Sequence, residues 1–423
     1  MNALDEDWKI LLGLFPPDWE IDARRRGAVA RLRGFDSVNE VLRTLLLHVG
    51  CGYSLRETAV RAKAAGVAEV SDVTLLNRLR QAEAWLQHLC QELLKESGVR
   101  WPGPEPRRHV RAVDATIIKE PGKTGSQWRL HFSLRLPELL CDFFQITPSE
   151  GQETGEHLRR FPATAGDIIL ADRGYANPPG VAAVYRQGAD VIVRLNSSSL
   201  PLFGPTGQPL ALLPKLRKIR AAGTVREWPA WVHEQNRRIA GRVCAVRKSE
   251  QAIALAQRRI TLQEQKRQRQ SRPETREYAR YVIVFTTVRE SEMGGAEVLE
   301  YYRFRWQIEL VFKRLKSILA MGHLPKYDDQ SSRAWLYGKL LVALLTQKLV
   351  QLGSAFPPGA TISGPPRVRS PWREFQFALH QIQQTIAPRL KLEQVLTHWN
   401  EIAMALAERN RKRVPQLDRL LLS

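Results

Sequence analysis

Apolar residues in the first hundred positions recur every three or four residues, the spacing that gathers them on one face of a helix. Ser37 with Glu40 and Ser54 with Glu57 are capping-box pairs, and they predict helices over 38–49 and 55–65, the second closed by Gly66. Ser71 or Asp72 then opens one long helix through about residue 96, striped by Leu75, Leu76, Leu79, Leu86, Leu89 and Leu93. The proline-rich WPGPEPRR at 101–108 ends this regime, and the pattern beyond it turns to strands. HVRAVDATIIK, WRLHFSLRL and LLCDFFQIT are β-rich runs, followed by a helix around Glu156–Arg160, the buried strand DIILAD, the helix PPGVAAVYRQG and the strand DVIVRLN.

Residues 197–280 interrupt the alternation with a Pro- and Gly-rich loop, two strand-like runs (TVREWPAWVHE and RRIAGRVCAVRK) and the polar basic segment ITLQEQKRQRQSRPETRE. YVIVFTTV resumes as a strand and leads into YYRFRWQIELVFKRLK at 301–316. A further apolar helix covers 335–352, SAFPPGATISGPPRVRSP is a second break, and the last fifty residues read as helical with a basic knot at NRKR.

Drawn as one helix at about 100° per residue, 301–316 sorts its side chains by face. Tyr302, Arg305, Glu309 and Lys316 form a polar stripe beside an apolar face of Phe304, Ile308, Val311, Phe312, Leu315 and Leu319. A carboxylate at that border needs a partner or a metal. An i,i+4 salt bridge from Arg305 to Glu309 is the bland alternative, but the base comes first here and the acid-first order is the better one in isolated helices. Two aspartates upstream also sit in unusual places. Asp114 interrupts VRAVDATII, otherwise suited to a central strand, where aspartate is disfavoured. Asp172 closes the run IILA where the chain leaves a strand, and ligands gather at such ends in open α/β sheets. Singly, an Asp at a strand end is more often a turn residue.

The spacing of Tyr302, Arg305, Glu309 and Lys316 resembles the Tyr-Arg-Glu-Lys signature of the DDE transposases of the insertion-sequence-four type, with all four positions matched. Asp-Ala-Thr from Asp114 and Asp-Arg-Gly-Tyr from Asp172 are similar to the settings of that family's other two acids. The resemblance implies an α/β, ribonuclease-H-like catalytic core interrupted by a β-rich insertion, with helical N-terminal and C-terminal regions. The expected division is a DNA-end-binding domain at 1–100, the core at 101–196 and 281–353, the insertion at 197–280 and a helical C-terminal region at 354–423. It implies further that Asp114, Asp172 and Glu309 are catalytic and hold two Mg²⁺ ions, with Mn²⁺ as a substitute. Hard oxygen ligands suit Mg²⁺, and two ions about 4 Å apart activate the attacking oxygen and stabilise the leaving one. Tyr302, Arg305 and Lys316 would contact DNA. The expected reaction frees 3′ ends of an insertion sequence and joins them to target DNA, within a homodimer.

Two helices around a turn at 66–71 can form a helix-turn-helix, with Arg78 and Arg80 facing DNA; a small solvated bundle is the alternative, and the resemblance favours DNA. Trp228 and Trp231 stand among basic residues of the insertion. Relatives in the family stack an aromatic there on a flipped base, while packing in a small β core competes for at least one of the two. GKT at 122–124 lacks the earlier glycine of a phosphate-binding loop, position 117 being Ile, and His131 reads as packed beside the sheet.

Composition narrows the partner. The chain carries 64 Lys and Arg against 43 acids, a formal charge of +21, and is 43% hydrophobic. That is an ordinary globular content with a surplus of positive charge suited to nucleic acid. A basic membrane-surface helix with an aromatic face is absent from the sequence. The four cysteines show no CxxC pair, so neither zinc nor a disulfide framework is indicated. Acids in MNALDEDWKILLGLF, where a signal peptide carries positive charge, point to a cytoplasmic protein, nucleoid-associated when bound to DNA. A metal-dependent nuclease without strand transfer shares the same acids, and a non-catalytic DNA-binding descendant would have lost one.

Overall fold

The computed structural model describes residues 3–96, 108–119, 127–151, 154–325, 328–355, 370–388 and 392–406; most of both proline-rich breaks, the GKT triplet and the NRKR knot lie outside the described residues. The first helices are α1 (Ala3–Leu12), α2 (Trp19–Arg25), α3 (Val38–Cys51), α4 (Leu55–Ala64), α5 (Asp72–Gln81) and α6 (Glu83–Glu96). The middle of the chain holds β1 (His109–Lys119), β2 (Gln127–Leu136), β3 (Leu140–Pro148), β4 (Asp167–Ala171), α7 (Pro178–Arg186) and β5 (Asp190–Arg194). Then come α8 (Leu212–Arg217), β6 (Val225–Glu234), β7 (Arg237–Arg247), α9 (Glu250–Arg267), α10 (Pro273–Tyr278), β8 (Tyr281–Thr286), α11 (Gly295–Phe304) and α12 (Trp306–Ile318). The chain continues with α13 (Asp329–Ala355), α14 (Pro371–Ile386), α15 (Leu392–Thr397) and α16 (Trp399–Leu406). Two compact units result, one of residues 1–98, 120–126 and 316–423, the other of 99–119 and 127–315.

The first unit is helical. Its helices start where the sequence supplies caps, with Ser37, Ser54 and Ser71 accepting hydrogen bonds from the amides of Glu40, Glu57 and Thr74. The single long helix expected from 72 to 96 is two, parted at Ala82. Leu75, Leu79, Leu86, Leu89 and Leu93 are buried as the stripe requires, whereas Leu76 is only partly covered. The apolar helix expected over 335–352 is the longer α13, and α3, α5, α6 and α14 all pack on it. Gly338 permits the closest approach: a Cβ there would stand 2.8 Å from a Val49 methyl on α3. The N-terminal helices therefore share their core with helices from the other end of the chain.

The second unit is mixed α/β, around an eight-stranded sheet of order β3-β2-β1-β4-β5-β8-β7-β6. β1, β4 and β5 run parallel to one another and the remaining pairings are antiparallel. β4 is buried along its whole length, which explains why DIILA reads as a continuous apolar run. The two strands from the 197–280 segment, β6 and β7, extend this same sheet through β8. Among the described residues no helix is long and apolar enough to cross a membrane, and none of the four cysteines is in a disulfide.

One buried cation in the helical unit has a measurable consequence. Lys339 on α13 is 2% exposed, with its ammonium 5.2 Å from the centre of the Trp335 ring. Burial pushes its pKa down to about 8, against a smaller upward pull from Cys51. An unfolded lysine titrates near 10.4, so the unfolded chain binds more protons between those values and stability rises with pH there. Below about pH 8 the charged, buried lysine destabilises the fold in full, on the order of 3 kcal/mol. Lys339→Met is expected to be more stable than the parent at pH 7, with the difference shrinking as pH climbs from 8 towards 10. Urea unfolding across that range checks it; a difference independent of pH would refute the assignment.

Candidate active site

Sheet register brings the two aspartates together. Val113 on β1 is paired in parallel with Ala171 on β4, so the next residue on each strand, Asp114 and Asp172, falls on the same side of the sheet. Asp172 follows the last residue of β4 and starts the turn Arg173–Tyr175. Asp114 stays within β1, opposite Phe132 of β2, and its own carboxylate accepts a hydrogen bond from the Ala115 amide at 2.8 Å.

The stripe expected on 301–316 arrives over this pair in altered form. The helix is interrupted at Arg305, whose amide bonds Tyr302 O and whose carbonyl accepts from Ile308, both at 3.2 Å and both in the tighter three-residue pattern. Phe304, placed on the apolar face by an unbroken helix, is instead 44% exposed. After the break, Ile308, Val311, Phe312 and Leu315 are buried, and Phe312 meets Phe132 edge-on at 5.8 Å. Tyr302, before the break, and Arg305, at it, are both buried and reach the acids. The Tyr302 hydroxyl donates to Asp172 at 3.4 Å, and the Arg305 guanidinium lies 3.5 Å from Asp114 while bonding Glu309 closely.

Electrostatics follow from this packing. Burial raises the Asp114 pKa to about 7, opposed by the Ala115 amide and the Arg305 cation and reinforced by Glu156 and Asp172. Burial also lifts the Tyr302 phenol to about 12, with the field of Asp172 adding to it, so the hydroxyl keeps its proton. Among the described residues no three of His, Cys, Asp and Glu are grouped closely enough to grip an ion as they stand. The guanidinium bridges Asp114 and Glu309. The donor set is nonetheless all hard oxygen with Asp114 short of counter-charge, which is the chemistry a divalent cation answers. The Tyr175 hydroxyl, fully buried without a hydrogen-bond partner among the described residues, lies in the fields of Asp114 and Glu156 and is a second unsatisfied group at this place.

Glu156 was not singled out by the sequence. Burial raises its pKa, Arg129 counters this and Asp172 adds to it. Its loop is pinned by Arg129 to the Thr154 carbonyl at 2.9 Å and by Arg160 to the Gly155 carbonyl at 3.2 Å. A Cβ built on Gly174 would collide with the Glu156 carboxylate, so the glycine of Asp-Arg-Gly-Tyr leaves room for a fourth acid. That glycine was the one available signal, and nothing in the sequence ties it to position 156.

The other expected residues fall elsewhere. Lys316 lies on α12 two turns beyond Glu309, its pKa lowered by burial. Arg78 is buried, donating to the carbonyls of Ala28 at 2.9 Å and Arg31 at 2.7 Å, so its charge is spent on a loop. Arg80 pairs with Asp328 at 2.9 Å. On β6, Trp228 packs against the core of the sheet unit, and Trp231, facing the other side by strand alternation, lies under Arg238 at 4.5 Å. His131 is fully buried against Thr147, and burial pushes its pKa down to about 3, so it stays neutral.

Residues 146–345 match the family described as "Transposase DDE domain". The chain is 32% identical over 369 residues to the putative transposase InsL for insertion sequence element IS186A of Escherichia coli (strain K12), covering 85% of this chain and 98% of that protein. The transposase for insertion sequence element IS421 of Escherichia coli is similar to the same degree, 32% over 370 residues with 85% and 98% covered. A more distant likeness, 20% over 296 residues, links 62% of the chain to 59% of the transposase for insertion sequence element IS231B of Bacillus thuringiensis subsp. berliner.

The Arg305 bridge gives a direct test of the site's electrostatics. Because the folded Asp114 keeps its proton to higher pH than an unfolded aspartate, near 3.9, its contribution to stability falls as pH rises from about 4 to 7. Removing the cation in Arg305→Ala is expected to move the Asp114 midpoint further above 7, read as the carboxyl ¹³C shift of aspartate-labelled protein. An unmoved midpoint would mean that the guanidinium does not stand against Asp114.

Proposed function

The chain belongs to the DDE transposases of insertion-sequence elements, and from that premise we propose that it cuts the ends of its element by metal-assisted phosphodiester hydrolysis and joins the freed 3′ ends to target DNA. Asp114, Asp172 and Glu309 are assigned as the three acids. The observation that carries the assignment is the convergence of β1, the end of β4, α11 and α12 on one spot, where a single guanidinium links two of the acids and a phenol holds the third. Parallel β1, β4 and β5 flanked by antiparallel β2 and β3 support reading this sheet as ribonuclease-H-like. The Tyr-Arg-Glu-Lys spacing supports the insertion-sequence-four type within the family.

The three acids would hold two divalent cations, Mg²⁺ or Mn²⁺, which when bound supply the Lewis acidity that activates water and steadies the leaving oxygen. The chain's own groups do the rest. Arg305 and Lys316, with Tyr302 as a neutral donor, orient phosphate oxygens, and a guanidinium that releases carboxylates can take phosphate in the same forked geometry. Arg305 beside Asp114 favours the ionised form of its carboxyl, and Asp114 would offer both of its oxygens to a cation in that form. Trp231, on the face of β6 away from the core, is the better placed of the two tryptophans to stack on a base. We assign end recognition to the helical region at 1–100, the β6–β7 segment at 197–280 to an insertion that lines the DNA, and the working state to a homodimer on DNA.

Glu309→Gln provides the decisive measurement. It removes one negative charge with little change of shape, while DNA affinity comes mainly from many Lys and Arg contacts to phosphate. The expected result is split: duplex carrying the element's terminal repeat is still bound, and Mg²⁺-dependent cleavage falls by orders of magnitude. Asp114→Asn and Asp172→Asn should behave alike. Cleavage at the parental rate by folded Glu309→Gln protein would show that the Arg305–Glu309 pair is only a salt bridge.

A further inference from the structure

The buried Arg78 points to a recognition groove that the sequence did not reveal. The loop over residues 27–35 reverses at Gly27 and Gly34, both at positive φ, and lies alongside the turn between α4 and α5. Two devices fix it there. The Glu69 amide donates to the Gly34 carbonyl at 3.3 Å, an approach that only glycine allows, since a Cβ at 34 would stand 2.7 Å from the Glu69 carbonyl. The Arg78 guanidinium, reaching out of α5, clamps the Ala28 and Arg31 carbonyls and lies 5.7 Å from the Phe35 ring.

Between loop and helix runs a groove of about 750 Å³ whose walls include Arg31, Arg33, Thr74, Asn77, Arg78 and Gln81. Arg31 and Arg33 are exposed and have no acidic partner among the described residues. Thr74, Asn77 and Gln81 are spaced three and seven apart on α5 and therefore share a face. The Asn77 oxygen accepts from Arg80 at 3.1 Å, which leaves its amide N–H groups to offer. One carboxylate, Glu69, also lines the groove, and Lys63 neutralises it at 2.5 Å. Free guanidinium groups on one wall and short polar side chains on the other are what the edge of a DNA duplex meets: charge for phosphate, and hydroxyl and amide groups for base edges.

We propose that this groove seats the duplex at the element's end, with Arg31 and Arg33 on the phosphates, Thr74, Asn77 and Gln81 towards the bases, and Arg78 as a positioning residue that holds the loop. The inference rests on reading the chain as a transposase that recognises its own ends.

The test uses the full chain and two duplexes of equal length, one carrying the inverted repeat that bounds the gene and one of random sequence. Each neutralised phosphate contributes about 0.9 to the slope of log affinity against log salt. Arg31→Ala with Arg33→Ala should lower affinity about tenfold or more and reduce that slope by about 2, while Arg31→Lys with Arg33→Lys restores most of both. Arg78→Met should weaken binding with the slope unchanged, since it frees the loop without removing a phosphate contact; a reduced slope would overturn the clamp. Asn77→Ala should narrow the gap between repeat and random duplex. If the parent protein does not distinguish the two duplexes, end recognition by this region fails and the groove with it. If the parent distinguishes them and the double alanine variant keeps its affinity and slope, the groove alone is refuted. Tighter binding to a structured RNA of the same length would overturn the assignment to DNA.

Discussion

A carboxylate inside a sheet must be answered by a cation, and the meeting of Asp114 with Arg305 governs how the rest of the second unit is built. Asp114 is held in β1 by its pairing with Phe132 of β2, one residue past the last pair with β4, and its side chain is mostly buried. The answering charge therefore has to come to it. α12 is docked by Phe312 on Phe132, and the helical ladder is interrupted one residue before α12 begins, at the residue that carries the cation. With the break at that point, Tyr302 and Arg305 reach Asp172 and Asp114 from one side and Glu309 meets the same guanidinium from the other.

Much of this was readable from local pattern. The three serine caps, the buried strand DIILA and the oddity of an aspartate within VRAVDATII each rest on short-range physics, and each appears where the pattern put it. What the pattern missed depends on contacts between distant segments. Ala82 and Arg305 are ordinary helix formers, and nothing local marks them as interruptions. Arg78 has the sequence setting of a solvated residue, yet it is buried because two carbonyls from a loop some fifty positions earlier need a donor. Glu156 depends on the empty volume beside Gly174, a property of two chain segments at once.

The formal charge of +21 likewise overstates what is on offer to a polyanion. Several arginines are consumed inside the units. Arg111 is buried between Asp142 at 2.7 Å and Asp167 at 3.2 Å, and Arg242 between Glu227 and the carbonyl of Val288 at 3.1 Å. These groups shape strands and loops, and their charges are already met. The cations available to phosphate are those left exposed without an acid, so the geography of pairing, and not the total, decides where DNA is held.

The sharing of one core by α3, α5, α6, α13 and α14 has a consequence for the order in which the protein comes into being. A chain leaves the ribosome from its N-terminus, so α3 and α6 emerge long before α13, the helix that covers them. The early helices meet one another, as Trp19 meets Trp85, but until residues 329–355 are made the faces of α3, α5 and α6 that pack on α13 stay uncovered. β5 waits likewise for β8, with its edge open to any passing strand. Translation must therefore pass β8 before the sheet is complete and pass α13 before the helical core can close, so a message cut short soon after Glu309 yields a chain that carries all three acids on a finished sheet but lacks the helix on which its first helices pack.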